Sequence, residues 1–406
     1  MVWDRARVTP KPWQSVVEFF GHLADRNDDF RPLLHLVEHV ASRAYAASVF
    51  AATSGTALLV AREAGGDWTV DALRVDVALN GSIRFTLPQR RLAKPTTFEC
   101  DGRTIVAEFE RTMLPEAAFI DKGTGNLDRI AITAAEGEAH VYLHGAHVTH
   151  FKPRGGRPVL FVSRRSHFEA GAPGKPIRGG VPLCFPWFGP KAGAPDAPMH
   201  GFARTLTWQL DTVTRNDRGA VRTTLHLESN DFTRRLFPHD FAATFVVTID
   251  ARLTMELRVR NTGREAILIE EALHSYFAVG DVRRVSIAGL EGLPYLDKAD
   301  AGARKEGEKA PIAIARETDR VYAGARGAVS IADPVWGRRL VVGKSGSATT
   351  VVWNPWIDKA KAMPDFGDEE WSEMVCVETA NAMGDAITIA PGATHAMSAT
   401  IAVEPI

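Results

Sequence analysis

A carboxylate set among apolar residues on both faces of a strand is costly to bury unless it is paired or kept for chemistry. Glu378 has that setting: in MVCVETAN it follows Val375, Cys376 and Val377. His274 has similar surroundings in EALHSYFAVGD, beside Leu273, Tyr276 and Phe277. A shielded imidazole and a shielded carboxylate are the parts that general acid/base catalysis requires, because environment can tune either toward neutral pH. The plainer role for Glu378 is a structural pair with an arginine.

Residues 175 to 208, KPIRGGVPLCFPWFGPKAGAPDAPMHGFARTLTW, are too rich in Gly, Pro and aromatic residues for a plain strand. Long irregular segments on a β scaffold often build binding sites. Arg178 directly precedes Gly179 and Gly180, where missing side chains would let a ligand approach the backbone. A guanidinium fork suits phosphate, and Arg204 near the far end could serve the same purpose. A surface or sandwich-edge ion pair is the alternative for each arginine. In HGFAR, an extended backbone would aim His200, Phe202 and Arg204 to one side, giving a polar ring, a flat apolar wall and a cation suited to a sugar phosphate. A hydrogen-bonded structural histidine is the other role open to His200.

Competing chemistries have weak support. GTGNLD at 123 to 128 lacks the last small residue of a dinucleotide fingerprint, and neither a P-loop nor a G-x-S-x-G elbow occurs. His140, His144, His147 and His150 would share a face partly on a helix, but VYLHGAHVTHF reads as strand, turn, strand, which scatters them. Cys184 has no histidine at a diagnostic spacing and reads as an inert buried thiol. The expectation is a site without metal or cofactor, where His, Glu, Asp and Arg move protons on a polyol or its phosphate.

Such a site needs a rigid frame. From residue 130 onward the pattern is strand-like, most clearly where Leu253, Met255, Leu257 and Val259 alternate with Thr254, Glu256, Arg258 and Arg260. Val221, Thr223, Leu225 and Leu227 repeat that period, and short apolar strands recur at RLVVG, TTVVW, EMVCVE, AITIA and TIAV. Many short strands with Gly and Pro turns predict a large antiparallel sandwich. Residues 1 to 115 read differently, as a small α+β domain. Helical spacing of Val16, Phe19, Phe20 and Leu23, then Leu33, Leu34, Val37 and Val40, predicts two helices joined near Asn27 to Phe30. β-like runs follow at WTVDALRVDVAL, IRFTLP and RTIVAEFE. The boundary is expected near Pro115 to Gly125, where DKGTGN breaks the pattern, leaving 116 to 406 as the sandwich.

Ala44 to Ala61 is an uncharged stretch long enough to cross a bilayer as a helix, but Thr53 to Thr56 makes a turn signal in its middle, so a β-hairpin is expected. The N-terminus carries Asp4 and no apolar run of a signal peptide. Three widely spaced cysteines argue against a disulfide framework and for a reducing, cytoplasmic setting. With 48 Lys and Arg against 49 Asp and Glu, net charge −1, no global field recruits nucleic acid or an anionic membrane. The expected partner is a small sugar phosphate, and the oligomeric state is left open.

In order along the chain, YLHGAHVTHFKP, IRGGVPLCFPWFG, HGFARTLTW, ALHSYFAVGD, GLEGLPYLDK, ETDRVY, VVWNPWIDKAKAMPDFGDEEW and VCVETANA resemble the glucose-6-phosphate 1-epimerase branch of the aldose 1-epimerase superfamily. The resemblance covers about residues 115 to 406. It implies a galactose-mutarotase-like β-supersandwich with its site on a concave face, and α/β anomer interconversion of a hexose 6-phosphate. Carried over residue by residue, it implies His274 as general acid and Glu378 as general base. Arg178, Arg204 and Asp319 fall at substrate-binding positions, the arginines toward the phosphate and Asp319 toward a sugar hydroxyl, with His200 holding the sugar. Where the family pattern has glutamine before HGFAR this chain has Met199, which cannot donate a strong hydrogen bond. Two rivals remain at this point: a non-catalytic carbohydrate-binding sandwich, and a lyase or glycosidase pairing Glu378 with Glu271 or Asp319.

Overall fold

The computed structural model describes residues 10–42, 50–54, 56–61, 72–78, 80–86, 97–106, 109, 117–171 and 173–406. The chain divides into two compact units, Met1–Leu114 and Pro115–Ile406.

In the first unit, helices Trp13–Ala24 and Arg31–Ala41 flank a 3-10 turn at Asp28–Phe30, whose first free amide donates to the Asn27 side chain. Val16, Phe20, Leu33, Leu36, Val37 and Val40 are buried together with Leu58, Val60, Val75 and Phe85 from one face of a five-stranded antiparallel sheet. The expected hairpin is present: Phe50–Ser54 pairs with Ala57–Ala61, and Ser54 lies opposite Ala57. The part of the candidate membrane stretch at 44–49 lies outside the described residues. Among the described residues no helix is long and apolar enough to cross a membrane. One strand expectation fails, since Ile105, Val106 and Phe109 of RTIVAEFE have helical backbone. Their one-and-four spacing puts Ile105 and Phe109 on one helical face, and both are buried against the two helices and the sheet.

The second unit is a large antiparallel β-sandwich. Its nine-stranded sheet is centred on Phe241–Ile249, Leu253–Asn261 and Thr394–Pro405, and Leu253, Met255, Leu257 and Val259 are buried as their alternation predicts. An eight-stranded sheet contains Glu271–Leu273, Tyr276–Ala278, Met374–Asn381, Thr349–Asn354, Thr318–Tyr322 and Tyr295–Asp297. A four-stranded meander runs from Ala118 to Pro153. DKGTGN, read as a break, belongs to this meander: Ala118–Lys122 is a strand and Thr124–Asn126 a 3-10 turn.

One face of the eight-stranded sheet turns toward the nine-stranded one. Glu271 pairs with His395 at 2.9 Å, and the Asn381 amide reaches the Met397 sulfur at 3.7 Å. Side chains alternate between faces along a strand. Residues an odd number of positions from Glu271 and Asn381, including His274 and Glu378, therefore point to the opposite, open face.

Candidate active site

Two neighbouring rows of cross-strand partners build the site. Asp319 lies opposite Trp353, Trp353 opposite Cys376, and Cys376 opposite Tyr276. One step along, Val321 lies opposite Val351 and Val351 opposite Glu378. Leu273 pairs with Thr379 and Tyr276 with Cys376, so the same register sets His274 across from Glu378. Directly opposed side chains share a face and come into contact. His274 and Tyr276, two apart on one edge, stack at 4.8 Å with 12° between their planes, and Trp353 meets both edge-on.

His274 Nε2 lies 3.4 Å from Glu378 Oε1, with the two side chains 9% and 2% exposed. A single hemiacetal can therefore touch both. They border a cavity of about 300 Å³, at the small end of the range for small-ligand sites. Of the seven residues singled out in the sequence, Arg178, Met199, His200, His274, Asp319 and Glu378 line it. Arg204 does not. Its side chain is buried, donates to the Met199 carbonyl at 2.7 Å, and leaves Nε without a partner among the described residues.

Electrostatics follow from this burial. Desolvation pushes the Glu378 pKa well above the ordinary carboxylate range, and the charge of Asp319 adds to the rise, against Lys298 and Arg204. Desolvation holds His274 well below the ordinary imidazole value, assisted by Arg204 and Arg178. Asp319 is itself raised by burial, with Lys298 as the main opposing charge. For Arg178, burial works against the charge, but Tyr276 and Asp365 outweigh it and hold the pKa up. Its Nη1 donates to the Tyr276 hydroxyl at 3.1 Å and its Nε to Asp365 at 3.1 Å.

His200 is fixed by its backbone and its ring. Its Nδ1 accepts from the Gly189 amide at 3.1 Å, which leaves Nε2 carrying the proton as a donor. Burial keeps the ring neutral, with Arg204 and His274 adding to the effect. The extended reading of HGFAR does not hold: His200 has φ +63, Gly201 φ +75, and Ala203–Thr205 is a 3-10 turn. Phe202 is consequently not a wall of the site. It is fully buried against Phe185, Trp187 and Phe241.

The glycine pair after Arg178 also serves a different purpose from the one its sequence suggests. A Cβ on Gly179 would stand 2.4 Å from the Phe161 carbonyl oxygen, and one on Gly180 2.4 Å from that of Val148. The protein's own strands come close here, and the glycines accommodate them. Histidines of the YLHGAHVTHF hairpin hold the same segment in place: His144 Nε2 donates to the Lys175 carbonyl and His147 Nε2 to that of Gly179, each at 2.7 Å. The rings of His140 and His150 meet across the hairpin, 4.9 Å apart and tilted by 31°. Cys184 is fully buried, and burial raises its thiol away from thiolate formation.

Tyr276, Trp353 and Lys298 are site residues that the sequence reading did not assign. A period of two starting from His274, and the lysine of GLEGLPYLDK, were the available signals. Glu271, offered as a second catalytic carboxylate, is on the other face of the sheet, bonded to Asn381 and His395.

Comparison with known proteins agrees with this architecture. A protein of Cenchrus ciliaris named "Putative glucose-6-phosphate 1-epimerase" is 35% identical over 284 residues, covering 68% of this chain and 84% of its own. One of Escherichia coli with the same name is 35% identical over 256 residues, covering 63% and 84%. The crystal structure of a "putative mutarotase" from Salmonella typhimurium superposes with a TM-score of 0.67 at 31% identity, covering 72% of this chain and 96% of that one. A galactose mutarotase-like protein from Clostridium acetobutylicum shares the fold, with a TM-score of 0.55 at 14% identity over 72% of this chain and all of its own. The sandwich is thus galactose-mutarotase-like, and with residues 128–402 matching the aldose 1-epimerase model, the chain belongs to the aldose 1-epimerase family of sugar mutarotases.

Proposed function

We propose that this protein interconverts the α and β anomers of a hexose 6-phosphate, glucose 6-phosphate foremost, with Glu378 as general base and His274 as general acid. The observation that carries the reading is the 3.4 Å approach of His274 Nε2 to Glu378 Oε1 at the cavity wall. Opening a pyranose breaks the bond between C1 and the ring oxygen and turns the C1 hydroxyl into a carbonyl. Glu378 takes the hydroxyl proton while His274 gives one to the ring oxygen. Rotation about the C1–C2 bond presents the other carbonyl face, and both transfers reverse to close the ring.

Burial favours the neutral form of each group, imidazole and carboxylic acid. The imidazolium–carboxylate pair is a tautomer of that state. Transfer of the carboxylic proton to the imidazole reaches it without bringing net charge into the cavity. Asp319 and the Nε2–H of His200 hold sugar hydroxyls, Arg178 and Met199 border the ligand, and Arg204 fixes the Met199 carbonyl.

Anomer exchange followed by two-dimensional exchange NMR, with glucose and glucose 6-phosphate as substrates, tests the reading. The wild-type protein accelerates exchange and favours the phosphorylated sugar. Glu378→Gln lowers kcat by about 10²- to 10⁴-fold while the circular dichroism spectrum is kept. Full exchange by the folded variant would remove Glu378 from its assigned role.

A further inference from the structure

The stretch of cavity wall from Pro186 to Pro190 forms neither helix nor strand, so its backbone amides must find partners outside a ladder. Two of them bear on the site. The Gly189 amide donates to His200 Nδ1 at 3.1 Å, the bond that places the ring proton on Nε2. The Phe188 amide, one residue earlier, donates to Glu270 Oε2 at 2.9 Å. Phe188 and Gly189 both line the cavity, and the Phe188 ring meets the His200 ring edge-on at 4.8 Å.

Glu270 grips this wall and something beyond it. Its own amide donates to the Pro186 carbonyl at 3.0 Å, and its second carboxylate oxygen, Oε1, accepts from the Met383 amide at 2.6 Å. Met383 has φ +55 and follows the strand Met374–Asn381, which carries Glu378. Glu270 itself directly precedes the strand Glu271–Leu273, which leads to His274. One side chain thus ties the wall that orients His200 to the strands that bear the acid and the base. Only a carboxylate can make both bonds. Each neighbour is an N–H donor, whereas an amide side chain offers one oxygen and would turn its NH2 against the other donor.

We propose that Glu270 is a positioning residue for the reaction: by holding the Phe188 and Met383 amides together, it keeps the Gly189 amide on His200 Nδ1 and the His200 Nε2–H directed at the sugar. Its kinetic consequence rests on the anomer-exchange reading above. Its effect on the His200 ring does not.

The test measures kcat and KM for glucose 6-phosphate by exchange NMR, and the His200 ring nitrogens by long-range proton–nitrogen correlation, in the wild type, Glu270→Gln and Glu270→Asp. Comparison with His200→Gln identifies the signals of that ring. In the wild type Nδ1 resonates as a bare acceptor and Nε2 as an N–H. Glu270→Gln frees one of the two amides, so KM rises about tenfold while kcat changes less than about threefold, and the two nitrogens move toward a mixture of tautomers. Glu270→Asp keeps the charge and both oxygens one methylene short. It shifts the same readouts in the same direction by less, and carries the test if the glutamine variant does not fold. Wild-type KM and wild-type His200 signals in the folded variants, even with lowered thermal stability, overturn the proposal and leave Glu270 as a brace of the fold. Lost kcat with unchanged KM and His200 signals overturns it as well. A wild-type protein that accelerates no exchange overturns the anomer-exchange reading alone, and the His200 signals of the variants then decide the role of Glu270.

Discussion

At the scale of single residues, the 3.4 Å separation of His274 and Glu378 predicts that they titrate as one unit. Groups this close lose protons in macroscopic steps that belong to the pair. The proposed mechanism requires one proton on the pair, so it predicts that kcat/KM falls on the acid side as a second proton binds and on the alkaline side as the last one leaves. Asp319 raises the Glu378 pKa by its negative charge. Removing that charge makes the carboxylate easier to form, so Asp319→Asn moves the profile toward lower pH, alongside the higher KM expected if Asp319 holds a sugar hydroxyl as proposed. An unmoved or upward-shifted profile would show that Asp319 does not act on the pair. Glu378 and His274 were legible in the sequence because a charged or polar group among buried neighbours stands out. Lys298 was not, since a lysine in a turn looks like ordinary surface until the fold places it at the cavity.

At the scale of elements, the strands were legible and the loops between them were not. A period of two survives in Leu253–Asn261 because one face is packed against the core. HGFAR has no such pattern, and its left-handed backbone at His200 is stabilised by contacts distant in sequence, the Gly189 amide and carbonyl among them. The Arg178–Gly179–Gly180 segment makes the same point in testable form. Gly179 has φ +108, and any Cβ would clash with the Phe161 carbonyl and with Val162. Gly179→Ala must therefore move the segment, at a cost of about 2 kcal/mol or more. Because Arg178 moves with it, anomer exchange falls as well. Urea unfolding and exchange NMR on the same variant read the two effects, and a variant of unchanged stability would show that the segment yields easily.

At the scale of the whole sandwich, what sequence could not reveal is which face of a fully buried strand does which job. All of Met374–Asn381 is buried, yet Glu378 points to the cavity while Asn381, three residues on, points between the sheets. There Glu271, fully buried, pairs with His395 of the facing sheet, and the Asn381 amide donates to the same Glu271 oxygen at 2.9 Å. The hydrogen bond to Glu271 raises the His395 pKa above 6.5, more than burial lowers it. A histidine with a raised folded-state pKa stabilises the fold fully below its unfolded value, and that contribution is lost as pH climbs through the folded value. The joint between the sheets therefore loosens on the alkaline side, the opposite of an Asp or Glu whose pKa is depressed by pairing. Urea unfolding from about pH 6 to about pH 9 should show stability declining in the wild type and a flatter dependence in His395→Gln, with the two curves converging at high pH. Parallel curves would mean that the imidazolium contributes nothing to holding the two sheets together, and that the pair serves only to satisfy the buried carboxylate.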